Sequence, residues 1–171
     1  TYRKSTLMTI TIQPKPITKE NFSKFGDVIT TEGIKPLDIN NGYAKRYDGI
    51  AKLNTATEDG KTTISIFSAL KRNFPMKIDM MEKHPLGSQA FIPMKETTFL
   101  CFVSPPGDKP NLNQLESFII PKGLGVNYKP GVWHFPLIST EDMNFLVVDR
   151  EGMGENLVIE DLNKENILLK Y

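Results

Sequence analysis

The feature that most constrains the fold is a series of short apolar runs, separated by proline and glycine, between residues 62 and 150. These runs are rich in β-branched and aromatic residues, which favour strands. Evenly spaced strands without alternating helices indicate a sandwich or barrel rather than a doubly wound sheet. We therefore predict an all-β fold, best interpreted as a jelly-roll barrel with a few short helices. The predicted strands are Thr62 to Leu70, Met76 to His84, Gln89 to Met94, Thr97 to Ser104, Gly125 to Tyr128, Val132 to Leu137 and Asn144 to Arg150.

The other segments carry weaker signals. Thr18 to Phe25 is predicted to be a helix, with Thr18 as its N-cap and Gly26 as its stop. Leu112 to Ile119 is predicted to be a short helix. Further predictions are a strand over Ile10 to Pro14, extended chain over Gly42 to Leu53, and a hairpin-like turn at Glu58-Asp59-Gly60. Residues 1–7 are expected to be a leader or residues added for expression, and residues 8–171 a single domain.

Composition excludes several classes of protein. The 21 basic and 20 acidic residues leave a formal net charge of +1, so nothing points to nucleic acid or to an anionic membrane. The chain shows no signal peptide and no apolar segment of membrane-spanning length. The single cysteine, Cys101, suits a reducing compartment, and we expect a cytoplasmic protein. Cys101 lies in an apolar run, where a buried core thiol is expected more often than a nucleophile.

The chain has only two histidines, His84 and His134. Side chains alternate between the faces of a strand, so the predicted strand Met76 to His84 places Glu82 and His84 on the same inward face as its apolar residues. A carboxylate and an imidazole inside a barrel must be paired, bound to a metal or open to a cavity. If the strand leaves the barrel before Glu82, both side chains lie in solvent, and the sequence leaves both alternatives open.

The second histidine follows a proline-glycine turn, Pro130-Gly131, which leads into Val132-Trp133-His134. Trp133 and His134 must face opposite ways, so one of them can point into the interior. A lone histidine in such a strand is more often structural. Together with Glu82, His84 and Gln89, however, a functional site becomes the better prediction, and either metal-assisted or purely acid/base chemistry would fit it.

These motifs resemble those of the cupin superfamily. The first cupin motif has two histidines separated by one residue and then a glutamate, and here it reads Glu82-x-His84-x4-Gln89. The second has a histidine three residues after a proline-glycine turn, as His134 is after Gly131. The resemblance implies a double-stranded β-helix. It also implies that the four donors Glu82, His84, Gln89 and His134 hold a divalent metal such as Ni, Mn, Fe or Zn, with no organic cofactor.

Four longer stretches carry a more specific resemblance: residues 82–93, residues 125–134, Asn40-Asn41-Gly42 with Arg46-Tyr47, and residues 145–150. They resemble the ureidoglycolate lyase family. The resemblance implies a homodimeric enzyme of allantoin degradation, within purine catabolism, that cleaves ureidoglycolate into glyoxylate and urea. Glu82, His84, Gln89 and His134 would be catalytic. The predicted substrate-binding residues are Arg46, Asn41, Arg72 and Tyr128.

Two positions depart from the family pattern. Phe135 stands where family members commonly have a second histidine, and Ser68 stands where many have an arginine. If that arginine binds the substrate carboxylate, Arg46, Lys71 or Arg72 would have to replace it. Arg46 is the first candidate, although a surface or interface position fits its spacing equally well. The alternatives to the lyase are a non-catalytic cupin that binds a small hydroxy acid or sugar acid, and a different cupin enzyme such as a sugar-acid isomerase.

Overall fold

The computed structural model describes residues 8–171, so the interpretation of residues 1–7 lies outside the described residues. The described part is nearly all β, which confirms the predicted fold class. Its helices are three 3-10 segments, Asn40–Gly42, Thr57–Asp59 and Asn163–Glu165. The strands, in chain order, are β1 (Ile10–Ile12), β2 (Lys15–Pro16), β3 (Gly26–Ile29), β4 (Leu37–Ile39), β5 (Ala44–Arg46), β6 (Lys61–Ala69), β7 (Met76–Lys77), β8 (Met80–Lys83), β9 (Gln89–Pro93), β10 (Phe99–Ser104), β11 (Glu116–Ile120), β12 (Gly125–Tyr128), β13 (Trp133–His134), β14 (Ile138–Ser139), β15 (Met143–Glu151), β16 (Val158–Asp161) and β17 (Ile167–Leu169).

Two large sheets form the body of the protein. One has the strand order β16-β8-β13-β10-β11-β2, with β14 also paired to β10, and the other has the order β3-β12-β9-β15-β6. A hydrophobic cluster with residues from both sheets fills the space between them; it includes Phe91, Phe118, Val126 and Phe145. This sheet-on-sheet packing fits the predicted jelly roll. The smaller sheets are β1-β17-β7 and the hairpin β4-β5.

Strand β10 is buried on both of its faces. Phe99, Cys101 and Val103 face the cluster between the sheets, whereas Leu100 and Phe102 face a second cluster that also contains Trp133 and residues of β17. A strand buried on both sides lacks the alternation of apolar and polar residues, so this segment is a continuous apolar run in the sequence. Cys101 is buried, and burial raises the pKa of its thiol to about 12. It is therefore a core thiol, as predicted.

Two predicted helices are wrong. Leu112 to Ile119 is not a helix, because Glu116–Ile120 forms β11 and pairs with β10 in register. Its Phe118 and Ile120 join the cluster between the sheets, which is the two-residue period of a strand. Thr18 to Phe25 forms a series of turns. Thr18 still caps this segment, because its hydroxyl accepts a hydrogen bond from the amide of Asn21 at 3.0 Å.

Within residues 8–171, no helix is long and apolar enough to cross a membrane.

Candidate active site

Glu82 and His84 come from β8 and the residue that follows it. The predicted single strand Met76 to His84 is wrong, because the chain breaks at Ile78-Asp79 and gives two strands in different sheets. The amide of Ile78 donates to Ile167 and the carbonyl of Asp79 accepts from Leu162, so the break is held by the C-terminal segment. The parity argument that put Glu82 and His84 on the same face as Met76 and Ile78 is therefore wrong, because those two apolar residues pack with Met81 in the second cluster. Met81 is buried in the second cluster, which leaves the opposite face of β8 for Glu82.

His134 is supplied by β13, and the structure joins its motif directly to that of His84. His134 lies opposite Glu82 in the β8–β13 ladder. Gly131 has φ +80°, in the left-handed region that favours glycine, and forms the predicted turn before the strand. The amide of Gly131 donates to the carbonyl of His84 at 2.9 Å. Trp133 packs in the second cluster, so His134 faces the other way, as strand alternation requires.

The three side chains meet in space. Glu82 Oε1 lies 3.4 Å from His134 Nε2 and 3.8 Å from His84 Nε2. One ligand atom from each of the three residues can be chosen so that all lie within 4.8 Å of one another. His134 is buried, and Glu82 and His84 are partly buried. Of the two alternatives left open by the sequence, the structure has Glu82 and His84 facing inward, beside the second histidine.

Backbone carbonyls hold both imidazoles by their Nδ1 atoms. Asn156 O lies 2.7 Å from His84 Nδ1, and Val132 O lies 3.1 Å from His134 Nδ1. A carbonyl can only accept, so each Nδ1 carries the proton and each neutral ring presents an Nε2 lone pair. Both Nε2 atoms are buried and have no hydrogen-bond partner among residues 8–171. Metal-binding histidines share this arrangement, so the donor set of Glu82, His84 and His134 fits a divalent cation.

The charges of the cluster act on one another. Burial raises the pKa of the Glu82 carboxyl, but the nearby imidazoles of His134 and His84 leave that pKa below its ordinary value. Burial and the charge of His134 lower the pKa of His84, against the opposing effects of the Asn156 carbonyl, Glu82 and Asp149. Near neutral pH these directions favour a carboxylate at Glu82 and a neutral ring at His84, which are the forms that bind a cation.

Gln89 is buried on β9, opposite Tyr128 in the β9–β12 ladder. Its Nε2 donates to Asp149 Oδ2 at 3.1 Å, and its Oε1 has no partner among the described residues. The phenol ring of Tyr128 lies against the imidazole of His134, with ring centroids 4.6 Å apart. Gln89 and Tyr128 therefore lie in the same interior as the histidines. Their catalytic and substrate-binding roles stay predictions.

Arg46, Asn41 and Arg72 are not brought to the cluster by any contact in the described structure. Arg46 is exposed on the β4–β5 hairpin and pairs with Asp48 at 2.7 Å. Asn41 is exposed in the 3-10 segment of the same hairpin. The guanidinium of Arg72 lies 5.2 Å from the ring centroid of Phe135, which is buried in the second cluster. Their roles in substrate binding stay predictions.

Sequence reasoning missed two residues that border the site. Asp149 bonds Gln89, and its charge acts on His84. It shares a strand face with Phe145 and Val147, so the alternation of residues along β15 could have indicated that Asp149 faces the interior. Asn156 accepts from His84 through its carbonyl and from the amide of Leu86 through its Oδ1 at 2.8 Å. No local pattern marks Asn156, because it lies in a loop 72 residues from His84.

Comparison with known proteins decides the family. A sequence model described as ureidoglycolate lyase matches residues 9–168. The chain belongs to the ureidoglycolate lyase family. A relative from Pseudomonas paraeruginosa named ureidoglycolate lyase is 48% identical over 147 residues, which are 85% of this chain and 87% of that protein. Relatives of the same name from Pseudomonas fluorescens and Pseudomonas putida are 45% and 43% identical, over 88% and 93% of this chain and 89% and 96% of theirs.

Proposed function

We propose that this chain is a ureidoglycolate lyase, which cleaves ureidoglycolate into glyoxylate and urea in the degradation of allantoin. Membership of the family supports the reaction. The observation that carries the proposal to particular residues is the meeting of Glu82, His84 and His134, whose ligand atoms lie within 4.8 Å of one another. These residues come from two motifs about 50 positions apart in the chain.

The reaction rearranges one carbon, which bears a hydroxyl, a carboxylate and a ureido group. The hydroxyl loses its proton and becomes a carbonyl, the carbon–nitrogen bond breaks, and the departing urea nitrogen takes up a proton. The proton lost by the hydroxyl balances the one gained by urea, so no water is consumed. A group that accepts the first proton and returns the second completes the cycle.

Glu82 is the residue we assign to that proton. Its Oε1 lies between the two imidazoles, so a proton received there stays within reach of His134 Nε2 at 3.4 Å. The backbone bonds at both Nδ1 atoms keep the rings from turning during the transfer. Preorganised groups of this kind act without rearrangement at the moment of reaction.

Glu82, His84 and His134 would hold a divalent cation. Two imidazoles and oxygen donors suit Ni, Mn, Fe or Zn. When bound, such a cation would stabilise the negative charge that develops on the substrate hydroxyl oxygen. Glu82 would take up the proton in the site without a cation, whereas with a cation bound its Oε1 and the two Nε2 atoms would be the ligands.

Glyoxylate release from ureidoglycolate, measured against the spontaneous rate, tests the proposal. We expect His84→Ala, His134→Ala and Glu82→Gln each to lower kcat by about 10²- to 10⁴-fold. Glu160→Gln is the matched control for Glu82→Gln. Glu160 lies on the neighbouring strand β16 opposite Met81, so it faces away from the site. Its activity should stay within about twofold of the wild type, since surface changes have small effects.

Metal analysis of the untreated protein accompanies the activity assay. If a cation takes part, chelation should abolish glyoxylate release, and one of Ni²⁺, Mn²⁺, Fe²⁺ or Zn²⁺ should restore it. Absence of release above the spontaneous rate, both with and without these metals, would contradict the lyase. It would favour a cupin that binds a small acid without cleaving it.

Arg46 remains the first candidate for the substrate carboxylate, because a guanidinium matches that group with two parallel hydrogen bonds. Arg46→Ala should then raise KM with little change in kcat. Lys45→Ala, which removes a neighbouring exposed cation on the same hairpin, is its control. The predicted homodimer and cytoplasmic location are tested by light scattering of the purified protein and by cell fractionation.

A further inference from the structure

The side chain of Asp149 enters the space between the two sheets beside Gln89. Phe145 and Val147 precede it on the same face of β15 and are fully buried in the cluster there. In the β9–β15 ladder Val147 pairs with Phe91, so the same register continued by two residues brings Asp149 opposite Gln89. The hydrogen bond from Gln89 Nε2 to Asp149 Oδ2, at 3.1 Å, fits this placement.

Asp149 determines which way the Gln89 amide points. A carboxylate only accepts hydrogen bonds, so the amide must present its NH₂ group to Asp149 and turn its oxygen away. The two ends of a glutamine amide are otherwise nearly interchangeable, and its orientation follows from the hydrogen bonds around it. The Gln89 side chain therefore has one favoured orientation for as long as Asp149 is charged.

The oxygen that is turned away has no partner within the described part of the chain. Gln89 is 6% exposed, and its Oε1 is buried. Buried polar atoms in native proteins are nearly always hydrogen-bonded, so an acceptor left free at a site calls for a donor from a ligand. Gln89 also lies opposite Tyr128, whose ring stacks on His134, so this acceptor belongs to the interior that holds the histidines.

We infer that Gln89 Oε1 accepts an N–H of the urea portion of the substrate and that Asp149 is the positioning residue which keeps this oxygen available. The inference rests on the proposed function, since ureidoglycolate carries N–H donors on its urea portion. Glyoxylate and other small acids that lack nitrogen have no such donor. Gln89 is then a specificity-determining residue, which selects a ureido group over an isosteric carbon chain.

A pair of stable analogues tests this contact without turnover. Hydantoate, the carbamoyl derivative of glycine, keeps the ureido group and carboxylate but lacks the hydroxyl that cleavage requires. Levulinate has the same chain with each nitrogen replaced by carbon. We expect the wild type to bind hydantoate about tenfold more tightly than levulinate by calorimetry, the effect of one hydrogen bond to a buried acceptor.

Two variants should abolish that preference. Gln89→Met removes the acceptor at nearly constant volume. Asp149→Asn lets the neighbouring amide donate as well as accept, so Gln89 is free to turn over. In both, the ratio of the two dissociation constants should fall from about ten to about one. Glu151→Gln, an exposed carboxylate at the end of the same strand, should keep the wild-type ratio.

Metal content is measured on the same samples. A wild type without the preference, or a preference that persists in either folded variant, would overturn the inference. The inference would also be overturned if a variant lost its metal and bound both analogues equally more weakly, because Gln89 would then act as a metal ligand. A chain that releases glyoxylate but shows no preference contradicts this inference alone. A chain that prefers hydantoate but releases no glyoxylate contradicts only the proposed function.

Discussion

The imidazole of His134 lies almost parallel to the phenol ring of Tyr128, at an interplanar angle of 13° and a centroid distance of 4.6 Å. Tyr128 is buried on β12, in the opposite sheet from His134 on β13. One side chain of the five-stranded sheet therefore braces a candidate ligand of the seven-stranded sheet across the sandwich. Burial raises the pKa of Tyr128 well above its ordinary value, so this phenol keeps its proton.

Replacing Tyr128 separates the effect of its ring from that of its hydroxyl. Tyr128→Phe keeps the stacking, and we expect kcat/KM within about threefold of the wild type. Tyr128→Leu removes the flat surface against His134, and we expect a loss of about tenfold or more, the scale of a contact worth roughly 1.4 kcal/mol. Steady-state kinetics of both variants checks this, with circular dichroism to verify folding. Equal losses in the two variants would show that the hydroxyl matters instead.

Asn156 holds the loop that fixes His84, so Asn156→Ala should weaken the site from a distance. The change removes the 2.8 Å bond to the amide of Leu86 and frees the carbonyl that accepts from His84. We expect metal affinity to fall about 10- to 100-fold, the usual effect of losing a group that orients a ligand. Nitrogen-15 NMR of the histidines should also show a mixture of tautomers at His84. Asn113→Ala, in an exposed turn, is the control, and an unchanged His84 spectrum in Asn156→Ala would argue against the prediction.

Phe135 does not stand in for a lost site histidine. It is buried in the second cluster with Trp133, on the opposite side from His134. We therefore expect Phe135→His to leave kcat unchanged and to lower the free energy of unfolding by about 2–4 kcal/mol, because a polar ring replaces a buried apolar one. Urea unfolding and the glyoxylate assay measure the two effects separately. A clear gain in activity would mean that position 135 reaches the site.

Glu116 should make stability depend on pH. Burial raises its pKa, but Lys15 at 2.5 Å and Lys24 at 3.1 Å outweigh burial and lower it below the ordinary value of 4.5. A carboxyl with a lowered pKa in the folded state adds stability above its unfolded pKa, and that stability is lost as the pH falls through the folded value.

Glu116→Gln should cost about 0.5–1 kcal/mol at pH 7, since both lysines are half-exposed. The difference from the wild type should vanish well below pH 4.5. Urea unfolding at several pH values tests this, with the exposed Glu20→Gln as control.

The sequence predicted most strands because their apolar residues repeat every two positions or form short bounded runs. It failed where long-range pairing decided the structure. The break between Met76–Lys77 and Met80–Lys83 depends on Ile167 and Leu162, which lie more than 80 residues away. The segment Glu116–Ile120 has the local pattern of a helix, but it forms a strand because it pairs with β10. Tertiary contacts of this kind are not visible in a local pattern.

The site shows the same division. Glu82, His84 and His134 were predicted as candidates because the spacing of their motifs is a local property, whereas the parity argument for Glu82 and His84 failed at the break in the strand. That Asn156 would bond both His84 and Leu86 was not predictable, since it depends on how a loop folds back over the sheet. Asp149 was predictable only in part. Alternation along the strand gives the face on which it lies, but its hydrogen bond to Gln89 depends on the register of β9 and β15, which the sequence does not show.

The bond from the Gly131 amide to the His84 carbonyl affects how alanine variants can be interpreted. It joins the two histidine-bearing segments through main-chain atoms only, so exchanging either imidazole for a methyl group leaves it in place. Replacing His84 or His134 with alanine should therefore remove the imidazole ring and leave the backbone conformation of both segments unchanged. The activity lost in such a variant can then be ascribed to the missing imidazole nitrogens. Two segments that are far apart in the chain therefore hold a fixed position relative to each other.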